Sequence, residues 1–215
     1  MKIKVCGITN LSDALLCEQF GADALGFIFY SGSKRQIMPD EAYKIVKQLN
    51  PFTIKVGVFV DENPVLINDI VRTVELNMVQ LHGGETPYDI SLINVPVIKA
   101  FRVDKNFDYS VIKHYADSFI LLDSFDKEEL GGTGRAFDWN SIPSELRHKI
   151  ILAGGINSEN LEEVFHKVKP KAIDVSSSLE EFPGKKSKEK VIQFFNKINF
   201  LRRTYADNDE FKLTP

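Results

Sequence analysis

The chain has 215 residues, 43% hydrophobic and 27% charged, with a formal net charge of −3. That length suits one domain, and that composition supplies a large apolar core. The acidic balance offers no basic field for nucleic acid, no apolar run approaches the ~20 residues that span a bilayer, and the first residues enter a strand at once, without a signal-peptide pattern. Nucleic acid and membrane are therefore not expected partners. The two cysteines, Cys6 and Cys17, carry neither metal-site spacing nor a disulfide framework and suit a reducing cytoplasm.

Apolar, β-branched or aromatic runs recur at 3–7, 24–30, 54–60, 78–82, 95–101, 118–123, 150–153 and 172–176. They are near-continuous hydrophobics, the pattern of parallel strands buried on both faces. Their starts lie about 17 to 32 residues apart, room for a strand and a crossover helix. Between them, Leu66, Ile67, Ile70, Val71 and Val74 form a helical stripe. Leu161, Val164, Phe165 and Val168 form another after Asn157-Ser158-Glu159, and Val191, Phe194, Phe195 and Ile198 form the last. Eight such units predict an α/β chain closed into a single-domain (β/α)8 TIM barrel over 1–201, with an open doubly wound sheet as the rival. The stretch 202–215 reads as a polar tail, partly disordered.

In a barrel, the residues that end the strands converge on one mouth. Here they are Cys6 after strand one, Arg35 after strand two, His82 at the end of strand four, Arg102 after strand five and Asp123 ending strand six. Gly154-Gly155 ends strand seven, and Ser176-Ser177-Ser178 ends strand eight. Glycines admit backbone N–H groups close to a phosphate, and barrels commonly build a phosphate site on these two loops. Gly131-Gly132-Thr133-Gly134 after strand six is a second glycine-rich loop, placed to close over a ligand or to line the same phosphate site. Other polar residues read more simply. Cys17 belongs to a helix core, Asp174 is a buried structural carboxylate, Trp139 is core, and Lys185-Lys186 is a solvated face. His82 is equally well explained as a hydrogen-bonded near-core imidazole and as a ligand contact.

In chain order the sequence carries Val5-Cys6-Gly7-Ile8-Thr9, Gly21-Ala22-Asp23 with Leu25-Gly26-Phe27, Ser33-Lys34-Arg35, and Val56-Gly57-Val58-Phe59. There follow Gln80-Leu81-His82-Gly83, Leu122-Asp123-Ser124, Gly131-Gly132-Thr133-Gly134 with Phe137-Asp138-Trp139, Ala153-Gly154-Gly155-Ile156, Asp174-Val175-Ser176-Ser177 and Pro183-Gly184. This ordered set resembles the phosphoribosylanthranilate isomerase family from Lys2 to about Phe195. Two positions depart from the family pattern: Ser178 stands where glycine is usual, and Ser187 where aspartate is usual. A left-handed backbone at Ser178 would be strained, whereas its hydroxyl offers an added donor.

The resemblance implies an Amadori rearrangement of N-(5-phosphoribosyl)anthranilate in tryptophan biosynthesis, needing no cofactor and no metal. It implies Asp123 as the general acid and Cys6 as the general base. The acid must arrive protonated, and the base needs thiolate character from a helix N-terminus or a cation, with Thr9 opening the next helix and Arg35 nearby. By the same resemblance Arg35 clamps the anthranilate carboxylate, His82 plays a supporting part near the substrate, and Gly154, Gly155, Ser176, Ser177 and Ser178 hold the phosphate. A monomer and a homodimer are both compatible with the sequence. Two other readings stay open at this level. Another phosphosugar isomerase or epimerase barrel would share the phosphate loops, although such enzymes usually use paired carboxylates or histidine metal clusters and the four histidines here are scattered. A non-catalytic phosphate-ligand binding barrel rests on Ser178 alone.

Overall fold

A computed structural model describes residues 1–124 and 138–209. Eight parallel strands pair in chain order and close on themselves: β1 (Lys2–Val5), β2 (Ala24–Ile28), β3 (Ile54–Phe59), β4 (Met78–Leu81), β5 (Val97–Val103), β6 (Phe119–Ser124), β7 (Ile151–Leu152) and β8 (Ala172–Val175). Val5 pairs with Leu25 on one side and Val175 on the other, which shuts the ring. The closed barrel excludes the open sheet.

The crossovers carry α1 (Leu11–Phe20), α2 (Pro39–Val46), α3 (Pro64–Val74), α4 (Pro87–Ser91), α5 (Ser144–Arg147) and α6 (Leu161–Glu163), the last continuing as a π-helical turn over Val164–Val168. Local chemistry sets their starts. Asn63 accepts from the Val65 amide ahead of Pro64 in α3, and Thr86 with Asp89 forms a capping box at α4. Thr9 does not cap α1. Asn10 does, accepting from the Asp13 amide, while the Thr9 hydroxyl donates to the Gly184 carbonyl. The fifth crossover departs from the expected α-helix: it is a 3-10 helix, Tyr109–Tyr115, capped by Asp108.

After β8 the chain makes a 3-10 turn, Ser177–Leu179, and then an antiparallel hairpin of β9 (Glu180–Phe182) and β10 (Lys185–Lys186) before α7 (Lys188–Asp209). The hairpin was not foreseen. Nor was the length of α7, which carries helix past Leu201 through Asp209.

Strand alternation sorts the core. Ile3, Leu25, Phe27, Val79, Leu122 and Ile173 pack toward the helices with Phe194 and Phe195 of α7. Val56, Ile98, Ala100, Leu121 and Ala153 form a separate apolar cluster. Stepping by two along each strand leads to the mouth: from Leu121 and Ala100 of this inner set to Asp123 on β6 and Arg102 on β5, and from the buried Lys4 and Asp174 to Cys6 at the end of β1 and Ser176 at the end of β8.

Candidate active site

Cys6 follows β1 directly, its amide donating to the Val175 carbonyl at 2.8 Å. The residue is buried. Beneath it, Lys4 on β1 pairs with Asp174 on β8, Nζ to Oδ2 2.8 Å, with both side chains almost wholly buried. Burial pushes the Cys6 thiol up; the Lys4 ammonium, which also hydrogen-bonds Cys6, pulls it back, and Asp174 adds to the rise. The same burial works to lower Lys4, but Asp174 and Cys6 outweigh it and hold its ammonium above the usual range. Asp174 itself is pushed up by burial against the pull of Lys4, with Asp123 adding to the rise. Asp174 Oδ1 makes no hydrogen bond among the described residues. The cation that bears most on Cys6 is therefore Lys4, not Arg35 or a helix N-terminus, and sequence reasoning missed it because Lys4 sits inside a strand read as apolar.

Asp123 lies near the end of β6, opposite Arg102 in register. His82 Nε2 approaches its Oδ2 at 3.4 Å, and the Gln80 amide lies 3.2 Å from His82 Nδ1. His82 thus lies against the Asp123 carboxylate. Gly154, at φ +82°, lies directly against Ser124 and Asp123; a β-carbon there would overlap the Ser124 backbone and hydroxyl and sit 2.7 Å from Asp123 Oδ1. A side chain at Gly154, two residues past β7, would displace Asp123.

Arg35 is held, not open. Its Nε donates to both Glu180 carboxylate oxygens at 2.8 and 3.0 Å, and Nη2 donates to Oε2 at 2.7 Å. Its chain crosses Gly7, where a β-carbon would lie 2.6 Å from Arg35 Cδ. Lys186 completes the group, with Nζ 3.0 Å from Glu180 Oε1. The expectation that Lys185-Lys186 is a solvated face fails at Lys186, whose side chain is 0% exposed. Lys185 pairs with Asp13 of α1.

The family model described as N-(5'-phosphoribosyl)anthranilate (PRA) isomerase matches residues 3–197. The chain belongs to the phosphoribosylanthranilate isomerase family. It is 44% identical over 196 residues to the N-(5'-phosphoribosyl)anthranilate isomerase of Trichlorobacter lovleyi, covering 90% of this chain and 96% of that one. The crystal structure of phosphoribosyl anthranilate isomerase from Thermotoga maritima superposes with a TM-score of 0.86 at 42% identity, covering 93% and 99% of the two chains. A solved phosphoribosyl anthranilate isomerase in complex with reduced 1-(o-carboxyphenylamino)-1-deoxyribulose 5-phosphate matches with a TM-score of 0.82 at 40% identity, covering 93% and 99%.

Of the loops that the isomerase resemblance assigns to phosphate, the structure places Gly154 and Gly155 in left-handed backbone, at φ +82° and +67°, after β7. Ser176 follows β8 with its hydroxyl donating to the Cys6 carbonyl at 3.1 Å. Ser177 is exposed and opens the 3-10 turn. Ser178 is not left-handed, so the strain that its replacement of glycine would bring does not arise. Its hydroxyl is buried with no hydrogen-bond partner among the described residues. Ser187, the second departure from the isomerase pattern, is structural: its hydroxyl donates to Glu189 and its carbonyl accepts from the Val191 amide at the start of α7. Gly131-Gly132-Thr133-Gly134 and Phe137 lie outside the described residues.

Beside His82 the mouth widens into a cleft of about 410 Å³, lined by Asp61, Arg102, Phe101, Phe107 and Tyr115 among others. Lys99 and Glu85 form a buried pair in its wall at 2.6 Å. Neither was foreseen. Among the described residues there is no group of three metal-ligating side chains, and no helix is long and apolar enough to cross a membrane.

Proposed function

We infer that this chain isomerises N-(5'-phosphoribosyl)anthranilate by an Amadori rearrangement, forming 1-(2-carboxyphenylamino)-1-deoxyribulose 5-phosphate for tryptophan biosynthesis. The observation that carries the reading is the placement of Cys6 after β1 and Asp123 on β6, at one mouth of a barrel whose sequence matches the isomerase family over residues 3–197.

The chemistry assigns each group a proton. Asp123, entering protonated, donates to the furanose ring oxygen as the C1'–O bond breaks, and the aryl nitrogen's lone pair completes a C1'=N Schiff base. The Cys6 thiolate removes the C2' proton, and the electron pair moves through C1' to neutralise nitrogen, giving an enolamine. Ketonisation then places the carbonyl at C2' and a proton at C1'. Atoms and electrons balance without an external oxidant or reductant. Lys4, beside the sulfur and paired with Asp174, favours the thiolate that the step requires.

In this reading Arg35 receives the anthranilate carboxylate. Its Nη1 has no hydrogen-bond partner among the described residues, so donors remain after Glu180 has taken the Nε–Nη2 edge. The left-handed Gly154 and Gly155 with Ser176, Ser177 and Ser178 receive the phosphate, the orphaned Ser178 hydroxyl supplying a donor. His82 contacts substrate beside the acid. The cytoplasm, where both cysteines stay reduced, is the proposed compartment.

Loss of anthranilate-type fluorescence turnover tests the function, with substrate generated in situ. Wild type should consume substrate, and Cys6→Ala and Asp123→Asn should each lose about three orders of magnitude or more in kcat. Folded wild type without turnover would overturn the reading.

A further inference from the structure

Arg35 could reach its carboxylate from many rotamers, and a free arginine side chain loses much rotamer entropy when it is fixed. Here it is fixed beforehand. Glu180 grips the Nε–Nη2 edge with bonds of 2.7 to 3.0 Å and takes the Gly184 amide at 3.3 Å besides. Glu180 is in turn fixed by Lys186, whose ammonium donates to the Cys6 carbonyl at 2.7 Å, the Ser176 carbonyl at 3.2 Å and Glu180 Oε1 at 3.0 Å. One buried lysine thus reads the ends of β1 and β8 together and passes that reference, through a carboxylate, to the guanidinium in the β2–α2 loop.

Stability alone gives little reason for such a group, because well-packed apolar residues in place of a buried ion pair are often as stable or more so. The trio also carries two cations and one anion, leaving one net positive charge for an incoming anion.

We propose that Glu180, anchored by Lys186, is a positioning residue for Arg35 and fixes where the substrate carboxylate docks relative to Cys6. The proposal rests on the reading of Arg35 as the carboxylate clamp.

Charge and geometry make opposite predictions for Glu180→Gln, and that separates them. The variant raises the local charge, so simple electrostatic attraction would tighten substrate binding. Loss of the bidentate grip loosens it. We expect KM for phosphoribosylanthranilate, and Kd for reduced 1-(o-carboxyphenylamino)-1-deoxyribulose 5-phosphate by calorimetry, to rise about tenfold, the worth of one charge-assisted hydrogen bond, with kcat within about threefold of wild type. In an Arg35→Ala background Glu180→Gln should add less than about twofold, because it acts through Arg35. Glu180→Asp keeps the charge but withdraws the carboxylate by one methylene, and should raise KM about as much. It carries the test if Glu180→Gln does not fold by circular dichroism. Unchanged or lowered KM in the folded variants would overturn the proposal, as would full multiplicative loss in the Arg35→Ala background. The analogue arm separates the two readings. If wild type binds the analogue without turnover, the reaction assignment falls while the binding cycle still decides the role of Glu180. If wild type does not bind it, the clamp and its positioning residue fall together.

Discussion

Lys4 and Asp174 meet across the β1–β8 seam that closes the barrel, paired in register and bridged at 2.8 Å directly below Cys6. Each is the other's compensation for burial, and the sulfur above them feels both. The ammonium favours thiolate; the carboxylate and the burial oppose it. The pair couples the closure of the fold to the ionisation of Cys6.

Removal of Lys4 should show in both. Lys4→Met leaves Asp174 buried without its cation, which costs about 3 kcal/mol and lowers the melting temperature by roughly 6 to 12 °C for a chain of this size. Because burial raises the Cys6 thiol above its ordinary value, kcat/KM of wild type should keep climbing with pH through the alkaline range as thiolate forms, with no plateau at the ordinary thiol value of about 8.5. Without Lys4 the thiol rises further, so the climb shifts to higher pH and the rate near neutrality drops about tenfold per pKa unit gained. A pH profile that superposes on wild type after scaling would refute the electrostatic role of Lys4.

Gly154→Ala tests the contact between β7 and the acid. The added methyl meets backbone and hydroxyl of Ser124 and lies 2.7 Å from Asp123 Oδ1, in a backbone conformation with φ +82° that alanine rarely adopts. The strain should cost about 1 to 3 kcal/mol, and displacement of the acid by about 1 Å should cost about 100-fold in kcat. Urea titration and steady-state kinetics measure the two separately. A variant with wild-type kcat would show that Asp123 tolerates the shift and is not the acid.

Much of the fold was legible because parallel strands buried on both faces are written as apolar runs, and all eight appear within a few residues of where those runs fall. The strand-end residues followed from the alternation. What stayed hidden was charge inside the barrel and behind the loops. Lys4 is one polar letter in an apolar word, and its partner is 170 residues away, so no local pattern joins them. Lys186 follows another lysine and reads as surface; only the β9–β10 hairpin turns it inward while Lys185 goes to Asp13. Glu180 lies six residues before Lys186 but faces Arg35, 145 residues upstream. The fifth crossover escaped because Tyr109–Tyr115 is too short to show a helical stripe. The one signal available was Pro183-Gly184 after Glu180, a turn that predicts a hairpin.

His82 should act on kcat more than on KM. The ring bridges the Gln80 amide, 3.2 Å from Nδ1, and the Asp123 carboxylate, whose Oδ2 lies 3.4 Å from Nε2. An imidazole held at both ring nitrogens can orient the Asp123 carboxyl. His82→Phe should lower kcat about tenfold, the worth of one oriented hydrogen bond, against the far larger loss in Asp123→Asn. Stopped-flow turnover at saturating substrate separates the two. A loss confined to KM would make His82 a binding contact with no part in orienting the acid.

Glu180 makes stability depend on acid. Burial works to raise its carboxyl, but the Arg35 hydrogen bonds and the Lys186 charge outweigh it and hold the group below the ordinary glutamate range. In the unfolded chain the same carboxyl titrates near about pH 4.3. With the folded value lower than the unfolded one, the stabilisation is fully present above about pH 4.3 and is lost as pH falls through the folded value. Glu180→Gln has no proton to gain there. Urea midpoints measured from pH 7 down to about pH 3 should therefore show a wild-type advantage at neutrality that shrinks with acid, while the variant falls less steeply over the same interval. A gap that stays constant from neutral to acid would mean that Glu180 binds its proton equally well folded and unfolded, and that Arg35 and Lys186 do not hold it as a carboxylate.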